Sequence, residues 1–309
     1  YVYGKSYREA KQKQHNALAK LEDSLDTGNN QVVLYKSDVK ALSVYWLTSI
    51  EPQIKQSTFN KYNNLLASYI VPYLGDIEIN DLAVDKLYEW CNYLLQKGGK
   101  KENGISPKTV SDALSLIRRI ICHAASRGYK TLCTGKELSI NQPSKEINVL
   151  TRSEQDALCR YIYKHPCERN IGILLSLFTG LRIGELCALD WPDISLESGT
   201  IYIHKNIQRV QTKENSEKKT EIVITKPKSQ CSIRTIPIPE FLISFLKNAD
   251  IKRQGYLLTG NNKYLEPRTM ENHFHKILDE ISIRQVNFHT LRHTFATRCI
   301  EVGFDIKSL

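Results

Sequence analysis

From Ser37 to Gly128 the apolar residues recur every three or four positions, the period of a helix with one buried face. Ser37-Asp38-Val39 opens the first such stretch, with Val39, Leu42, Tyr45, Trp46 and Ile50 toward one side. Ser57-Thr58-Phe59-Asn60 opens a second, carrying Phe59, Tyr62, Leu65, Leu66 and Tyr69. Pro72, which lacks an N–H, is expected to stop it. A third helix runs from Val84 to Leu95 and closes at Gly98-Gly99. Ser106-Pro107 starts the fourth, a capping hydroxyl followed by a residue suited to the first helical position. Val110, Leu114, Ile117, Ile120, Ile121 and Ala124 mark its inner face, and Gly128 ends it. Four helices with one apolar stripe each predict a small bundle.

Residues 129–148 have no clear period and carry Pro143, so they read as a linker between the bundle, 37–128, and a second domain, 149–309. That domain opens on Thr151-Arg152-Ser153-Glu154, a capping box ahead of Leu158, Tyr161 and Ile162. The run Ile171 to Phe178 reads as a buried helix punctuated by Gly180. After Trp191-Pro192 the pattern alternates instead. Thr200 to His204, Glu221 to Thr225 and Ser232 to Ile238 read as strands of one small antiparallel sheet. Gln208 to Thr220, rich in Lys, Glu and Asn, reads as an extended hairpin tip. Helices return at Pro239 to Ala249, Glu266 to Ile281 and His289 to Val302. The fold class expected is mainly α, a four-helix domain followed by a mixed α+β domain with a small antiparallel sheet. Ahead of both, residues 1–36 are basic and look like a linker helix at Tyr7 to Leu25, too short and polar to hold a core.

Composition narrows the class. A chain of 309 residues fits two domains and a small appendage. No apolar run approaches the roughly 20 residues of a membrane span. The start, Tyr-Val-Tyr-Gly-Lys, is not a signal peptide and has no initiator Met, so a piece of a longer cytoplasmic protein is expected. The eight cysteines contain no C-x-x-C pair and read as reduced core thiols. A net charge of +10 favours a polyanionic partner.

The chemistry gathers in the second domain. In Thr179-Gly-Leu-Arg-Ile-Gly-Glu-Leu, Arg182 and Glu185 lie three apart beside a buried helix. They make either a structural ion pair or part of a ligand site. His289 and Arg292 are likewise three apart, at a helix N-terminus where an anion is favoured. His289 and His293 have the spacing of zinc ligands, but the Glu of H-E-x-x-H and a third ligand are missing. Two arginines on two helices, a histidine beside one and a lysine near a strand turn suit a phosphate clamp with acid/base groups.

Thr179-Gly-Leu-Arg-Ile-Gly-Glu-Leu resembles the first box of the tyrosine recombinase (phage integrase) family, and His289-Thr-Leu-Arg-His-Thr-Phe-Ala-Thr resembles its second. Pro227-Lys-Ser-Gln-Cys-Ser-Ile-Arg-Thr-Ile-Pro-Ile resembles its lysine-bearing β-hairpin segment. Order and separation match over about residues 37–309, and the basic lead-in and charged insert look most like integrases of conjugative transposons. The resemblance implies a SAM-like core-binding domain, a catalytic domain, and a lead-in that is the tail of a preceding arm-binding domain. It implies a DNA strand-exchange enzyme of the cytosol and nucleoid that integrates or excises a mobile element. Arg182 and Arg292 would hold the scissile phosphate, His289 would be the acid/base histidine, and Glu185 would orient Arg182. Lys228 would be general acid toward the leaving 5′-hydroxyl, with Lys226 a competitor. Lys61, Lys108, Arg118, Arg119, Lys205 and Arg209 are candidate DNA contacts, against the alternative of a solvated face. Partners implied are duplex DNA at recombination sites, other protomers, and an excisionase or DNA-bending protein, with no membrane. No cofactor or metal is expected, because a 3′-phosphotyrosine linkage conserves the bond energy.

One departure qualifies the resemblance. The family continues into a Leu-Gly-His/Trp box and an attacking tyrosine, whereas the last tyrosine here is Tyr264, upstream of His289. The expectation is a phosphate-activating site without its nucleophile. The rival reading is a non-catalytic DNA-binding regulator retaining the recombinase fold.

Overall fold

The computed structural model describes residues 37–99, 102–143, 146–212, 220–225 and 233–305. The lead-in helix and residues 213–219 of the hairpin tip lie outside these residues, as do Lys226, Lys228 and Cys231. Packing divides the chain into two units: residues 1–55 with 61–141, and 56–60 with 142–309. The division after Asn141 falls inside the stretch read as a linker.

The first unit is helical: α1 (Val39–Ile50), α2 (Gln56–Leu65, whose residues 56–60 are counted with the second unit), α3 (Val71–Leu74), α4 (Val84–Lys97) and α5 (Pro107–Ser126). Asp38 caps α1 by accepting from the Ala41 N–H at 2.7 Å, and Ser106 caps α5 by accepting from Thr109 N–H at 3.2 Å. The stripe Val110, Leu114, Ile117, Ile120, Ile121 and Ala124 is buried along α5. Trp90 of α4 is buried as well and donates Nε1–H to the Tyr69 carbonyl at 2.8 Å. Tyr45, expected on the stripe of α1, is exposed instead, its ring 5.7 Å from that of His123 and 5.0 Å from the Arg127 guanidinium. A phenol at the margin of a stripe keeps its hydroxyl hydrated this way.

The second helix does not stop at Pro72. It widens into a π turn, Leu66–Ile70, and resumes as α3, with Pro72 in the first turn and Gly75 closing it. Proline clashes with the carbonyl four residues back in a regular α-helix, and the wider turn just before it absorbs that misfit. Nor does Ser57 cap α2, which begins one residue earlier, after Lys55, without a side-chain cap.

The second unit carries α6 (Arg152–Lys164), α7 (Glu168–Thr179), α8 (Ile183–Cys187), α9 (Glu240–Asn248), α10 (Pro267–Glu280) and α11 (His289–Glu301). The Thr151–Glu154 capping box of α6 is formed on both sides. Three antiparallel strands, β1 (Ile194–Ser195), β2 (Thr200–Ile203) and β5 (Arg234–Pro237), pair in the order β1-β2-β5. A separate two-stranded ribbon joins β3 (Asn206–Gln211) to β4 (Thr220–Thr225). β3 thus begins within residues read as connection and tip, because Asn206 to Gln211 alternates only weakly. Ile171 to Leu177 of α7 are wholly buried at the centre of the core. Thr294 of α11 fastens the start of the unit, its hydroxyl accepting from the Leu150 N–H at 2.9 Å and donating to the Thr290 carbonyl at 2.8 Å.

Cys91, Cys133 and Cys187 are buried, Cys159, Cys167 and Cys299 are partly buried, and Cys122 is exposed, so the core reading of the thiols fails for Cys122. Burial pushes the Cys187 thiol up to about 12 and the Cys91 and Cys159 thiols up to about 11, so these three stay protonated and inert.

Candidate active site

The turn between α7 and α8 is shaped by two glycines. Gly180 ends α7 in the left-handed conformation, φ 68°, and a Cβ there would stand 2.6 Å from Phe295 of α11. Only glycine lets the turn lie this close to α11. The Gly180 carbonyl accepts a hydrogen bond from Nη1 of Arg292. A Cβ on Gly184 would lie 2.4 Å from Asn206 Oδ1 and 2.6 Å from the Ile207 carbonyl, so α8 rests directly on β3. Arg182, between the two glycines, is thereby brought beside α11 on one side and the strands on the other.

Arg182 occupies the N-cap position of α8. Its backbone N–H donates to Oε2 of Glu185 at 3.1 Å, and its Nη1 donates to Oε1 at 3.0 Å. Glu185 is only 5% exposed, and a second guanidinium reaches it from β5. Arg234 donates through Nη1 to Oε1 at 3.1 Å and through Nη2 to Oε2 at 2.9 Å. Burial opposes ionisation of this carboxyl. The hydrogen bonds and charges of Arg234 and Arg182 outweigh it, and hold Glu185 below the usual glutamate range. The Arg182 side chain stays 49% exposed.

Arg292 and His289 complete the cluster from the first turn of α11. Desolvation and the Arg182 charge lower the pKa of Arg292, with Arg234 adding to the effect and Glu185 opposing it. Desolvation lowers His289, and so do His293, Arg292 and Arg182. Three guanidiniums thus face one carboxylate, and burial, with the surrounding positive charge adding to it, disfavours the protonated form of the neighbouring imidazole. The His289 and His293 rings meet edge to face, 4.6 Å between centroids. Among the described residues no group of three His, Cys, Asp or Glu could hold a metal ion.

Arg182, Glu185, His289 and Arg292 are therefore brought together. Arg234 is the member that sequence reasoning missed. In β5 it alternates with Thr235 and shares a half-buried face with Ile236, a pattern that does not by itself point to Glu185.

The six basic candidates for DNA contact are all engaged within the chain. Lys61 and Lys108 both pair with Asp112, at 2.8 and 3.1 Å. Arg119 donates to the Tyr62 hydroxyl at 2.8 Å and lies over the same ring. Arg118 differs, because its Nε and Nη2 donate to the Gly135 and Leu138 carbonyls and fasten the segment after α5. That guanidinium is occupied by the backbone rather than presented outward. Lys205 lies between Asp190 and Asp193 and is 25% exposed, again an internal role. Arg209 pairs with Glu266 and Thr220 across the ribbon.

Residues 148–309 match the phage integrase family, and residues 39–95 match the phage integrase N-terminal SAM-like domain. The chain belongs to the phage integrase family. A tyrosine recombinase XerC-like protein of Caldanaerobacter subterraneus is 27% identical to this integrase-family chain, over 99% of the chain and 82% of the relative. The fold is shared with the Tn1549 transposon integrase, solved in complex with a circular intermediate DNA. That likeness has a TM-score of 0.70 at 19% identity, covering 88% of this chain and 90% of that one. It is shared too with a lambda integrase tetramer bound to a Holliday junction, at a TM-score of 0.62 and 17% identity over 100% and 87% of the two chains. The chain is thus a tyrosine recombinase resembling conjugative transposon integrases, mainly helical with a small antiparallel sheet. None of its described helices is long and apolar enough to cross a membrane.

Proposed function

We propose that this integrase serves the cutting and rejoining of DNA strands at specific sites, through a 3′-phosphotyrosine intermediate, to integrate or excise a mobile element. The convergence of Arg182, Arg292 and His289 on one turn carries the reading. Arg182 and Arg292 hold the non-bridging oxygens of the scissile phosphate by two-point contacts that lysine cannot reproduce. His289 acts as acid/base, and Glu185 orients Arg182. Lys228, with Lys226 as its competitor, protonates the departing 5′-hydroxyl as a tyrosine oxygen takes its place on phosphorus.

The partners in this reading are duplex DNA, gripped by the helical bundle and the catalytic domain, and other protomers on paired sites. The DNA complexes of the Tn1549 and lambda integrases support both. We assign the bundle to 37–128, the linker to 129–148 and the catalytic domain to 149–309. The test is a mobility shift on a nicked duplex carrying the element's ends. Binding is expected to weaken steeply with salt, because each phosphate contact releases counterions. Salt-insensitive binding would sink the clamp.

A further inference from the structure

Arg234 is not among the groups assigned to the phosphate, yet it holds the one buried carboxylate of the site more fully than Arg182 does. We infer that Arg234 is a positioning residue of the phosphate site: by occupying Glu185 from β5, it leaves the Arg182 guanidinium free to engage an anion. The inference rests on the phosphate reading above and adds a division of labour to it.

Geometry carries the argument. Glu185 is 5% exposed, so its charge must be met inside the protein. A carboxylate has two oxygens, and Arg234 meets both with a parallel pair of bonds at 3.1 and 2.9 Å. Arg182 gives one side-chain bond, to Oε1 at 3.0 Å, and its other bond to Glu185 comes from its backbone N–H, to Oε2 at 3.1 Å. The Arg234 side chain is 26% exposed and that of Arg182 is 49% exposed. The arginine that neutralises the glutamate is thus the more buried one, and the one nearer solvent keeps donors to spare. If Arg234 were absent, Glu185 would have only Arg182 to neutralise it. The buried charge would then draw that guanidinium inward, away from a ligand.

Arg234 has a second consequence through its place in the chain. It opens β5, six positions after Lys228. β5 pairs with β2 through Arg234 opposite Ile203, so the ion pair fixes the start of a strand to the turn that carries Arg182. One bidentate contact thereby ties the arginine turn to the chain leaving the lysine segment.

The test is phosphate binding by the full chain, with inorganic phosphate as the probe. Binding is read at low ionic strength from the side-chain Nε–H resonances of Arg182 and Arg292 in arginine-labelled protein. In the unaltered chain both resonances are expected to shift together and saturate. Arg234→Gln is expected to weaken that binding about tenfold, with the Arg182 resonance moved toward its Glu185-paired position before any phosphate is added. Arg234→Lys keeps the charge but makes a single contact, and it should recover part of the affinity. A residue that merely filled space would not be rescued by charge. Circular dichroism and thermal unfolding establish that each variant is folded. If Arg234→Gln does not fold, Arg234→Lys decides the matter by itself: affinity equal to that of the unaltered chain overturns the inference, and intermediate affinity upholds it. Unchanged binding in a folded Arg234→Gln also overturns it while leaving the phosphate reading intact. No saturable shift at Arg182 and Arg292 in the unaltered chain overturns the phosphate reading, and this inference with it.

Discussion

The basic residues of the helical unit and those of the catalytic site carry the same charge and do different work. On the bundle, Lys61 and Lys108 share Asp112 with side chains 56% and 65% exposed, so water screens every pair. At the site, Arg182 and Arg234 converge on a glutamate that is 5% exposed. Exposed pairs contribute ~0–1 kcal/mol each and are interchangeable. A buried carboxylate between two guanidiniums costs much to desolvate, and taking away either sign leaves the other stranded. One surface can lose a charge and stay the same surface; the other cannot. Four sets of measurements would break or sharpen that contrast.

The largest effect is expected from Glu185→Gln, which leaves Arg182 and Arg234 facing each other without a counter-charge. Removing one partner of a buried pair costs about 3 kcal/mol, toward the lower end because both arginines keep some solvent. Urea denaturation of the two proteins checks it; a loss no greater than that of an exposed lysine change would erase the contrast. The pH dependence has a definite sign. Glu185 is held below the usual glutamate range, chiefly by Arg234 and Arg182 against the opposing effect of burial. Its contribution is therefore fully present above the ordinary glutamate value of about 4.3 and is lost as pH falls below it. In Glu185→Gln that acid-induced loss should shrink.

Gly180→Ala comes next. The residue sits at φ 68°, where a Cβ would meet Phe295 at 2.6 Å. A left-handed alanine costs about 1–2 kcal/mol before any clash is counted. The total should show in the same denaturation curves as roughly 2 kcal/mol, and the Arg292 bond to the Gly180 carbonyl should weaken with it. Wild-type stability in Gly180→Ala would mean that the turn has room that the geometry denies it.

His289 offers a smaller, reversible effect. Desolvation, with His293, Arg292 and Arg182, lowers its pKa in the free chain. A bound phosphodiester adds negative charge and should raise it, so DNA binding takes up a proton and tightens as pH falls through the ordinary histidine range near 6.5. A histidine titration by NMR, with and without duplex DNA, reads this directly. A His289 pKa that stays put on binding would separate this ring from the phosphate.

Much of this division could be read from the sequence, for reasons that differ by element. α5 was legible because six apolar residues keep helical period and Ser106-Pro107 marks the start. α11 was found from the His-Thr-Leu-Arg box, although its apolar pattern alone is weak. Pro72 misled, because a π turn can absorb a proline and nothing local in Leu66 to Ile70 announces one. β3 was missed because Gln208, Arg209 and Gln211 interrupt the apolar alternation. At the site, Arg182, Glu185, His289 and Arg292 were legible as motif members. Arg234 was not, since its importance lies in a carboxylate 49 positions away that only folding brings near.

The smallest change should come from the bundle, and it discriminates through salt rather than stability. Lys61→Ala and Lys108→Ala each remove one exposed contact to Asp112, and each should alter stability by no more than about 0.5 kcal/mol. If these lysines also reach DNA phosphates, each change lowers the slope of log affinity against log salt by about 0.9. Asp112→Asn separates the two possibilities. The Lys61 hydrogen bond leads in holding that carboxyl below the usual aspartate range, with burial opposing and Lys108 adding to it. Neutralising it releases both ammonium groups at once. Lysines that serve DNA should then bind more tightly, because a competing acceptor has gone; lysines that serve only the fold should lose stability and gain no affinity. Tighter, more salt-sensitive binding by Asp112→Asn, with unchanged unfolding, would place the bundle's charges on the DNA. An unchanged salt slope in all three variants would make Lys61 and Lys108 a solvated face and leave the guanidinium cluster to hold the phosphate alone.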